Sequence, residues 1–345
     1  MTQPLGPVML DLEGISLSRA EETLLARPEV GGVILFARNI VDAEQVIELC
    51  ASIRRIRPEI LLGIDQEGGR VQRLRQGVTR MPSMARLGRC YPDDPQGCLQ
   101  LCQDAGWLLG MEMAACGLDV SFAPVLDVDT GRSSVIGDRS FSSDPQAVAA
   151  MGGAFIDGLH EAGMAAIGKH FPGHGSVAAD SHLELPVDDR PLRALREHDL
   201  VPFASLASRL DGVMPAHVVY RSFDERPAGF SPCWLGLLRE ELGFKGAIFS
   251  DDLSMAGAHV AGGPDARALA ALNAGCDMVL VCNDRDAALA VADACTGRES
   301  RRQARLRYGR SRPGLDTLPA LSRWRRVHAR LEALADTPVE SAEGS

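Results

Sequence analysis

The stretch Ala165-Ala-Ile-Gly-Lys-His-Phe-Pro-Gly-His-Gly175 decides the predicted fold, because an apolar run changes within it into a cluster of polar side chains. Its first four residues are typical of the end of a buried strand, and one Lys and one His follow directly. Pro172 and the two glycines then interrupt regular structure. Polar groups directly after a buried strand are typical of the catalytic face of an α/β barrel, so the segment predicts an active-site loop.

The same change from apolar to polar recurs along the chain. Eight apolar runs end in polar residues, and they are 7–12, 32–36, 61–64, 120–126, 165–168, 213–216, 247–249 and 278–281. Amphipathic helices are predicted between most of them, for example over 42–56, 99–116 and 145–162. Such runs, separated by helices, indicate parallel strands covered on both faces. We therefore predict an α/β fold, a single-domain (β/α)8 TIM barrel, with a doubly wound sheet as the alternative.

The barrel is expected to occupy residues 1–297, since neither an internal repeat nor a flexible linker divides the chain. Residues 298–334 are rich in arginine, and we expect a helical extension packed on the barrel, with a nucleic-acid-binding arm as the alternative. Residues 335–345 are acidic and poor in apolar side chains, which predicts a frayed tail.

Composition narrows the possible partners. The chain has 345 residues, of which 46% are hydrophobic, and a net charge of −10, which argues against nucleic acid as a partner. The first residues lack the pattern of a secretion signal, and no apolar run approaches the roughly 20 residues that cross a bilayer. We expect a cytoplasmic monomer without a membrane partner. Nine cysteines without a C-x-x-C pair indicate reduced thiols, and Cys98 and Cys102 indicate one helical face rather than a metal clip.

The histidines allow two kinds of chemistry. His170, His174 and His182 could hold zinc, which needs three or four such ligands around an open position. Alternatively, Asp180 and His182, two residues apart, can turn to the same side of an extended loop and form an acid/base pair. The His-x-x-x-His spacing suits a zinc-binding helix, but Pro172 opposes a helix there. A structural, hydrogen-bonded imidazole is a third interpretation, favoured for His174.

Two adjacent carboxylates, Asp251 and Asp252, follow the seventh apolar run. Successive strand residues point to opposite faces, so at most one is expected to face the barrel mouth while the other fixes the loop. Spacing alone does not decide which. The carboxylate at the mouth could be a nucleophile, a metal ligand or part of a salt bridge.

The segment Asp65-Gln-Glu-Gly-Gly-Arg-Val-Gln-Arg73 follows the third run. Its two glycines allow a tight turn that lets Asp65 and Arg73 converge. Because Asp accepts and Arg donates hydrogen bonds, this pair suits the hydroxyls of a sugar, and a mutual ion pair is the alternative. Arg139, after the fourth run, has the same two interpretations. The glycines lack the spacing and the lysine of a phosphate-binding loop.

Together these segments resemble the family 3 glycoside hydrolases, in particular the single-domain bacterial β-N-acetylglucosaminidases of cell-wall recycling. The resemblance covers about the first 285 residues and depends most on Lys169-His-Phe-Pro-Gly-His-Gly175 with Asp180-Ser-His182. Further similar segments are Gly6-Pro-Val-Met-Leu-Asp, Asp65-Gln-Glu-Gly-Gly-Arg, Ser121-Phe-Ala-Pro-Val-Leu-Asp127, Met214-Pro-Ala-His217, Ser250-Asp-Asp-Leu-Ser-Met255 and Gly275-Cys-Asp-Met278.

The resemblance implies a retaining hydrolase that removes terminal β-linked N-acetylglucosamine, in this subgroup from fragments carrying 1,6-anhydro-N-acetylmuramic acid. It implies that Asp251 is the nucleophile and that His182, held by Asp180, is the acid/base, with no cofactor or metal. Sugar binding is implied for Asp65, Arg73, Arg139, Lys169 and His170.

This assignment is chemically consistent, because a retaining enzyme needs a carboxylate for attack and a proton donor for the leaving oxygen. An imidazolium beside Asp180 can supply that proton near neutral pH. Lys169 and His170 are neighbours, so both can contact a sugar only if the strand ends or bulges there. A metal-dependent barrel hydrolase using His170, His174 and His182, and a sugar-binding protein without turnover, are the alternatives.

Overall fold

A computed structural model describes residues 5–178, 185–300 and 302–336. Eight parallel strands form a closed barrel in the order β1-β8-β7-β6-β5-β4-β3-β2. Their bounds are β1 Val8–Leu10, β2 Val30–Leu35, β3 Leu61–Ile64, β4 Val120–Ser121, β5 Ala165–Phe171, β6 Gly212–Pro215, β7 Ala247–Asp252 and β8 Met278–Val281. The barrel closes between β1 and β8, where Val8 pairs with Val279. The predicted (β/α)8 barrel is confirmed.

Helices surround the barrel. They are α1 Arg19–Leu25, α2 Ala43–Ile56, α3 Met84–Gly88, α4 Pro95–Ala115, α5 Pro145–Ala162, α6 Leu192–Glu197, α7 Val201–Leu206, α8 Pro232–Gly236, α9 Pro264–Ala274, α10 Arg285–Ala294 and α11 Ser322–Asp336. An aspartate caps the N-terminus of each of α2, α4 and α5 by accepting a hydrogen bond from a first-turn amide. Helix α4 begins four residues before its predicted start because Asp94 caps it and Pro95 fits the first helical position.

The core has two layers. An outer layer fills the space between strands and helices. An inner layer fills the barrel itself and includes Phe122 and Phe249, whose rings meet edge to face with centroids 5.3 Å apart. The interior is therefore packed with side chains, as is usual for eight-stranded parallel barrels.

Strand β4 is shorter than the predicted run of 120–126. Regular pairing stops at Ser121, and Pro124, which has no N–H to donate to a neighbouring strand, lies in the remainder. The segment nevertheless stays against β5, because Val125 forms an isolated bridge with Lys169 and the Leu126 amide donates to the Lys169 carbonyl at 2.7 Å.

The arginine-rich region after the barrel contains helix α11, which packs against α4 and extends through Asp336. Val327 and Leu331 are its buried residues. Arginines of this region contact carboxylates of the barrel, as Arg323 does with Asp104 at 2.9 Å and Arg312 with Asp119 at 2.6 Å. The division of the chain at residues 297 and 334 stays a prediction.

Two smaller expectations concern the cysteines and the membrane. All nine cysteines are free thiols, and Cys98 and Cys102 are buried one turn apart on α4. Among the described residues, no helix has the length and apolar character needed to cross a bilayer.

Candidate active site

A pocket of about 440 Å³ opens at the C-terminal ends of the barrel strands. Ile34, Met214 and Leu280, which belong to the inner core layer, contribute apolar side chains to it. Its charged and polar lining includes Asp65, Glu67, Arg73, Arg139, Lys169, His170, His174, Asp251, Asp252 and Asn283. Six of the predicted site residues, Asp65, Arg73, Arg139, Lys169, His170 and Asp251, therefore meet in one pocket on the expected face.

One side of the pocket is an ion network, here called the Glu67 cluster, formed by Asp65, Glu67, Arg139 and Lys169. The Lys169 ammonium lies 2.8 Å from Asp65 Oδ1 and 2.6 Å from Glu67 Oε1. The Arg139 guanidinium binds both oxygens of Glu67, with each contact at 2.8 Å. Such bidentate pairing fixes the direction of both side chains.

Glu67 and Lys169 stay charged at neutral pH. Burial alone would raise the pKa of Glu67, but Arg139 and Lys169 outweigh burial and hold this pKa below its ordinary value. Burial likewise disfavours the Lys169 ammonium, yet Asp65 and Glu67 raise the pKa of Lys169 overall. Fixed charges of both signs therefore line this side of the pocket, and they can accept and donate hydrogen bonds to hydroxyl groups.

A hairpin between Gln66–Gly68 and Val71–Gln72 presents Glu67 to the pocket. Gly68 has a φ of +132°, and a Cβ there would lie 2.2 Å from the carbonyl oxygen of Pro82, so only glycine fits without distortion. The turn brings Arg73 back to Asp65, with Nη2 and Oδ2 3.7 Å apart. The two residues contact each other, as the ion-pair interpretation predicts, and both line the pocket, while sugar binding by this pair stays a prediction.

His170 is fixed by a buried carboxylate. Its Nδ1 lies 2.7 Å from Asp127 Oδ2. Burial raises the pKa of Asp127, but the neighbouring His170 and the His174 amide lower this pKa overall. Because Asp127 is ionised and can only accept, the Nδ1–H group of His170 donates the hydrogen bond between them. The pairing of β5 with β6 shifts register between Lys169 and Phe171, and this irregularity lets the neighbours Lys169 and His170 line the same pocket.

His174 lies deeper, with its backbone N–H donating to Asp127 Oδ1 at 2.6 Å. Burial, followed by the charge of His170, lowers the pKa of His174, so its imidazole is neutral at neutral pH. Within the described ranges, no three His, Cys, Asp or Glu side chains are grouped so that they could hold a metal. His182, the third ligand of the metal hypothesis, lies outside those ranges.

Asp251 and Asp252 have different surroundings. Asp252 accepts hydrogen bonds from the Ser254 amide at 3.0 Å, the Ser254 hydroxyl at 2.7 Å and the Cys282 amide at 3.1 Å, so it fixes the loop. Burial raises the pKa of Asp252. The Asp251 carboxylate accepts the Asp252 amide at 2.8 Å and also lines the pocket. Both carboxylates line the pocket, contrary to the expectation that at most one would face the barrel mouth, and the contacts that fix the loop belong to Asp252.

The remaining predicted site residues, Asp180 and His182, lie outside the described residues. Conversely, sequence reasoning did not single out Glu67 or Asp127, both buried carboxylates that fix the predicted sugar-binding side chains. The only signal in the sequence was their position, Asp127 directly after the fourth apolar run and Glu67 three residues after the third.

Comparison with known proteins identifies the family. Residues 8–307 match the model of the glycosyl hydrolase family 3 N-terminal domain. The chain belongs to glycosyl hydrolase family 3. It is therefore an enzyme, a glycosidase, and the earlier resemblance is confirmed at this level.

The family 3 relatives include β-hexosaminidases. The chain is 58% identical over 284 residues to the β-hexosaminidase of Pseudomonas aeruginosa, covering 82% of this chain and 84% of that one. It is 50% identical to the β-hexosaminidase of Alkalilimnicola ehrlichii, an alignment that covers 98% of this chain and 99% of that one. A crystal structure of NagZ from Neisseria gonorrhoeae in complex with N-trifluoroacetyl-D-glucosamine superposes on this chain with a TM-score of 0.91 at 41% sequence identity. The superposition covers 96% of this chain and 99% of that one.

Proposed function

We propose that this family 3 glycosidase removes terminal, non-reducing β-linked N-acetylglucosamine with retention of configuration, and that Asp251 is its nucleophile. The observation that carries the proposal is the position of the Asp251 carboxylate, at the end of β7 and open to the pocket that contains the Glu67 cluster. A retaining glycosidase needs one carboxylate beneath the anomeric carbon and a separate proton donor for the leaving oxygen.

The order of strands in the barrel supports separate roles for Asp251, as nucleophile, and for the Glu67 cluster, as sugar-binding side of the pocket. Strands β3 and β7 lie four positions apart in a ring of eight, so Asp65 and Glu67, which follow β3, lie across the barrel mouth from Asp251 on β7. A sugar bound by its hydroxyls to Asp65, Lys169 and Arg139 would extend its anomeric carbon towards Asp251. The printed names of the relatives, and the bound N-trifluoroacetyl-D-glucosamine of the NagZ structure, favour an N-acylated amino sugar in that place.

The acid/base role is proposed for His182, with Asp180 beside it, on the strength of the sequence resemblance alone. Both residues follow β5 in the sequence, and His174, which lies between that strand and Asp180 in the sequence, lines the pocket. The imidazolium would first protonate the leaving oxygen, and the neutral imidazole would then activate the water that releases the sugar from Asp251.

The substrate we propose is a cell-wall fragment with N-acetylglucosamine linked to 1,6-anhydro-N-acetylmuramic acid, hydrolysed in the cytoplasm by a monomer that needs no cofactor. The β-hexosaminidase relatives and the glycosidase family are compatible with this choice. Incubating the enzyme with that disaccharide and identifying both products by mass spectrometry tests the substrate directly.

The nucleophile is tested with Asp251→Asn and its adjacent control Asp252→Asn. The first should lower the release of a chromogenic aglycone from a β-N-acetylglucosaminide by at least about a thousandfold at unchanged thermal stability, because the attacking oxygen is lost. Asp252→Asn should act mainly through stability, since Asp252 fixes the loop. Similar residual activity in the two variants contradicts the assignment, and so does an initial sugar product of inverted configuration.

A further inference from the structure

Helix α11 lies beyond the part of the chain that defines the family, because the family match ends at residue 307 and the helix begins at Ser322. It nevertheless contacts residues 79–86, the segment that follows the hairpin carrying Glu67. Two sets of hydrogen bonds join them.

The first set surrounds Glu112, a buried residue of α4. Its carboxylate accepts the Thr79 amide at 2.9 Å, the Thr79 hydroxyl at 2.6 Å and the Trp324 indole N–H at 3.0 Å. His328 Nδ1 lies 2.8 Å from the same hydroxyl, and the rings of Trp324 and His328 are stacked with centroids 4.5 Å apart. Thr79 is therefore held between α4 and α11.

The second set lies nearer the end of α11. The Arg80 amide donates to Glu332 Oε1 at 2.7 Å. Arg86 donates to two carbonyl oxygens of the last turn of the helix, at 2.9 and 2.8 Å. Cations favour the C-terminal end of a helix, so these contacts agree with the helix dipole.

Residues 79–81 in turn hold the hairpin. Gln72 donates to the Thr79 carbonyl at 2.9 Å and accepts the Met81 amide at 2.9 Å. The Gly69 amide donates to the Met81 carbonyl at 2.8 Å. Gln72 pairs with Gln66, the residue directly before Glu67. Hydrogen bonds, strand pairing and the covalent chain thus connect α11 to Glu67.

We propose that α11 is a positioning element of the sugar-binding side of the pocket, acting through Thr79, Arg80 and the hairpin on Glu67. This inference rests on the proposed function, because its main readout is sugar hydrolysis. Glu67 holds both Lys169 and Arg139, so a displacement of the hairpin moves three charged groups at once, and binding sites lose much of their effect when such groups shift by fractions of an ångström.

The test combines Thr79→Val, which removes the shared hydroxyl, with Glu332→Ala, which removes the acceptor of the Arg80 amide. KM for a chromogenic β-N-acetylglucosaminide should rise roughly three- to tenfold while kcat stays within about twofold, because interactions with bound sugar weaken and Asp251 on β7 is untouched. Thr79→Ser with Glu332→Gln, which keeps both polar contacts, should restore the wild-type KM. Arg326→Ala, at an exposed position of the same helix, is the matched control.

If the helix had only a structural role, the Thr79 and Glu332 substitutions would lower the thermal midpoint without changing KM. That result overturns the proposal. If the double variant does not fold, Glu332→Ala alone, at a half-exposed position, allows the same comparison of KM with the thermal midpoint. Amide hydrogen exchange provides a second readout, since residues 66–72 should exchange faster in the variants than in the control. Unchanged exchange there also overturns the proposal, whereas a wild-type enzyme inactive on N-acetylglucosaminides refutes the proposed function instead.

Discussion

Two of the buried glutamates, Glu67 in the pocket and Glu112 at the junction of α4 and α11, have surroundings with opposite effects on the carboxyl pKa. Burial raises the pKa of both carboxyl groups. At Glu67, Arg139 and Lys169 reverse this effect and lower the pKa, whereas at Glu112 the neutral donors of Thr79 and Trp324 leave the pKa raised to about 7. Burial sets the cost of ionisation, and the charge of the partners decides whether the group ionises.

The difference reflects two roles: Glu67 organises charged groups that line the pocket, and Glu112 supports the junction between α4 and α11. The pocket keeps charged groups in the interior, where they are expensive unless each has a partner, and this arrangement is typical of functional sites. The junction at Glu112 can be protonated without leaving a charge unmatched. The two glutamates lie at opposite ends of the connection between α11 and the pocket, so changing each one tests a different end of it.

The largest effect is expected from Glu67→Ala, which leaves Lys169 and Arg139 buried without the carboxylate they share. Removing one partner of such a buried network costs about 3–5 kcal/mol in the free energy of unfolding. We also expect kcat/KM to fall at least about a hundredfold, because both cations lose their position. Urea unfolding and steady-state kinetics measure the two effects. Glu67→Gln keeps the shape and should be milder, and a wild-type-like Glu67→Ala would contradict the role of the cluster.

Glu112→Gln should instead change how stability depends on pH. The pKa of Glu112 in the fold is above its ordinary value of 4.5, so the folded state binds more protons than the unfolded state between about pH 4.5 and 7, and stability falls as the pH rises through that window. A rise from 4.5 to about 7 amounts to about 3 kcal/mol, at about 1.4 kcal/mol per pKa unit.

Urea unfolding of wild type and Glu112→Gln between pH 5 and pH 8 measures this effect. The wild type should lose about 2.5 kcal/mol more than the variant between pH 5 and pH 8, because part of the window lies below pH 5. The nearby charge of Glu332 also raises the pKa of Glu112, so Glu332→Gln should lower the slope slightly. Parallel pH profiles for wild type and Glu112→Gln would contradict the raised pKa.

Arg73→Ala should have a smaller effect, confined to binding. The Arg73 guanidinium is partly exposed and lies 3.7 Å from Asp65, so its pair contributes little to stability. We expect KM to rise about tenfold or less, with the thermal midpoint almost unchanged. Arg73→Lys, which keeps the charge but loses the planar group, should lie between wild type and Ala. A loss of stability comparable to that of Glu67→Ala would place Arg73 within the buried network.

The smallest effect is expected from metal removal. Exhaustive dialysis against a chelator should leave activity unchanged if Asp180 and His182 form the acid/base pair, because neither role needs a metal. Loss of activity, with recovery on adding zinc, would support the alternative site formed by His170, His174 and His182.

The fold was predictable from sequence because eight apolar runs and the helices between them follow regular periods. The prediction was wrong in length for β4, where regular pairing stops at Ser121 although the apolar run continues to Leu126. The site was predictable for Asp65, Lys169 and Arg139, since polar residues after parallel strands gather at one face. Glu67 and Asp127 were missed because their contacts join residues far apart in sequence, and periodicity contains no information about such pairs.

The packing of Phe122 against Phe249 has a further consequence. These rings belong to the inner core layer, as do Ile34, Met214 and Leu280, whose side chains also line the pocket. The side chains that pack the barrel therefore also form part of the pocket wall. Under the proposed function, this arrangement suits a substrate held by its terminal unit, because a glycan cannot thread through a barrel interior that side chains fill.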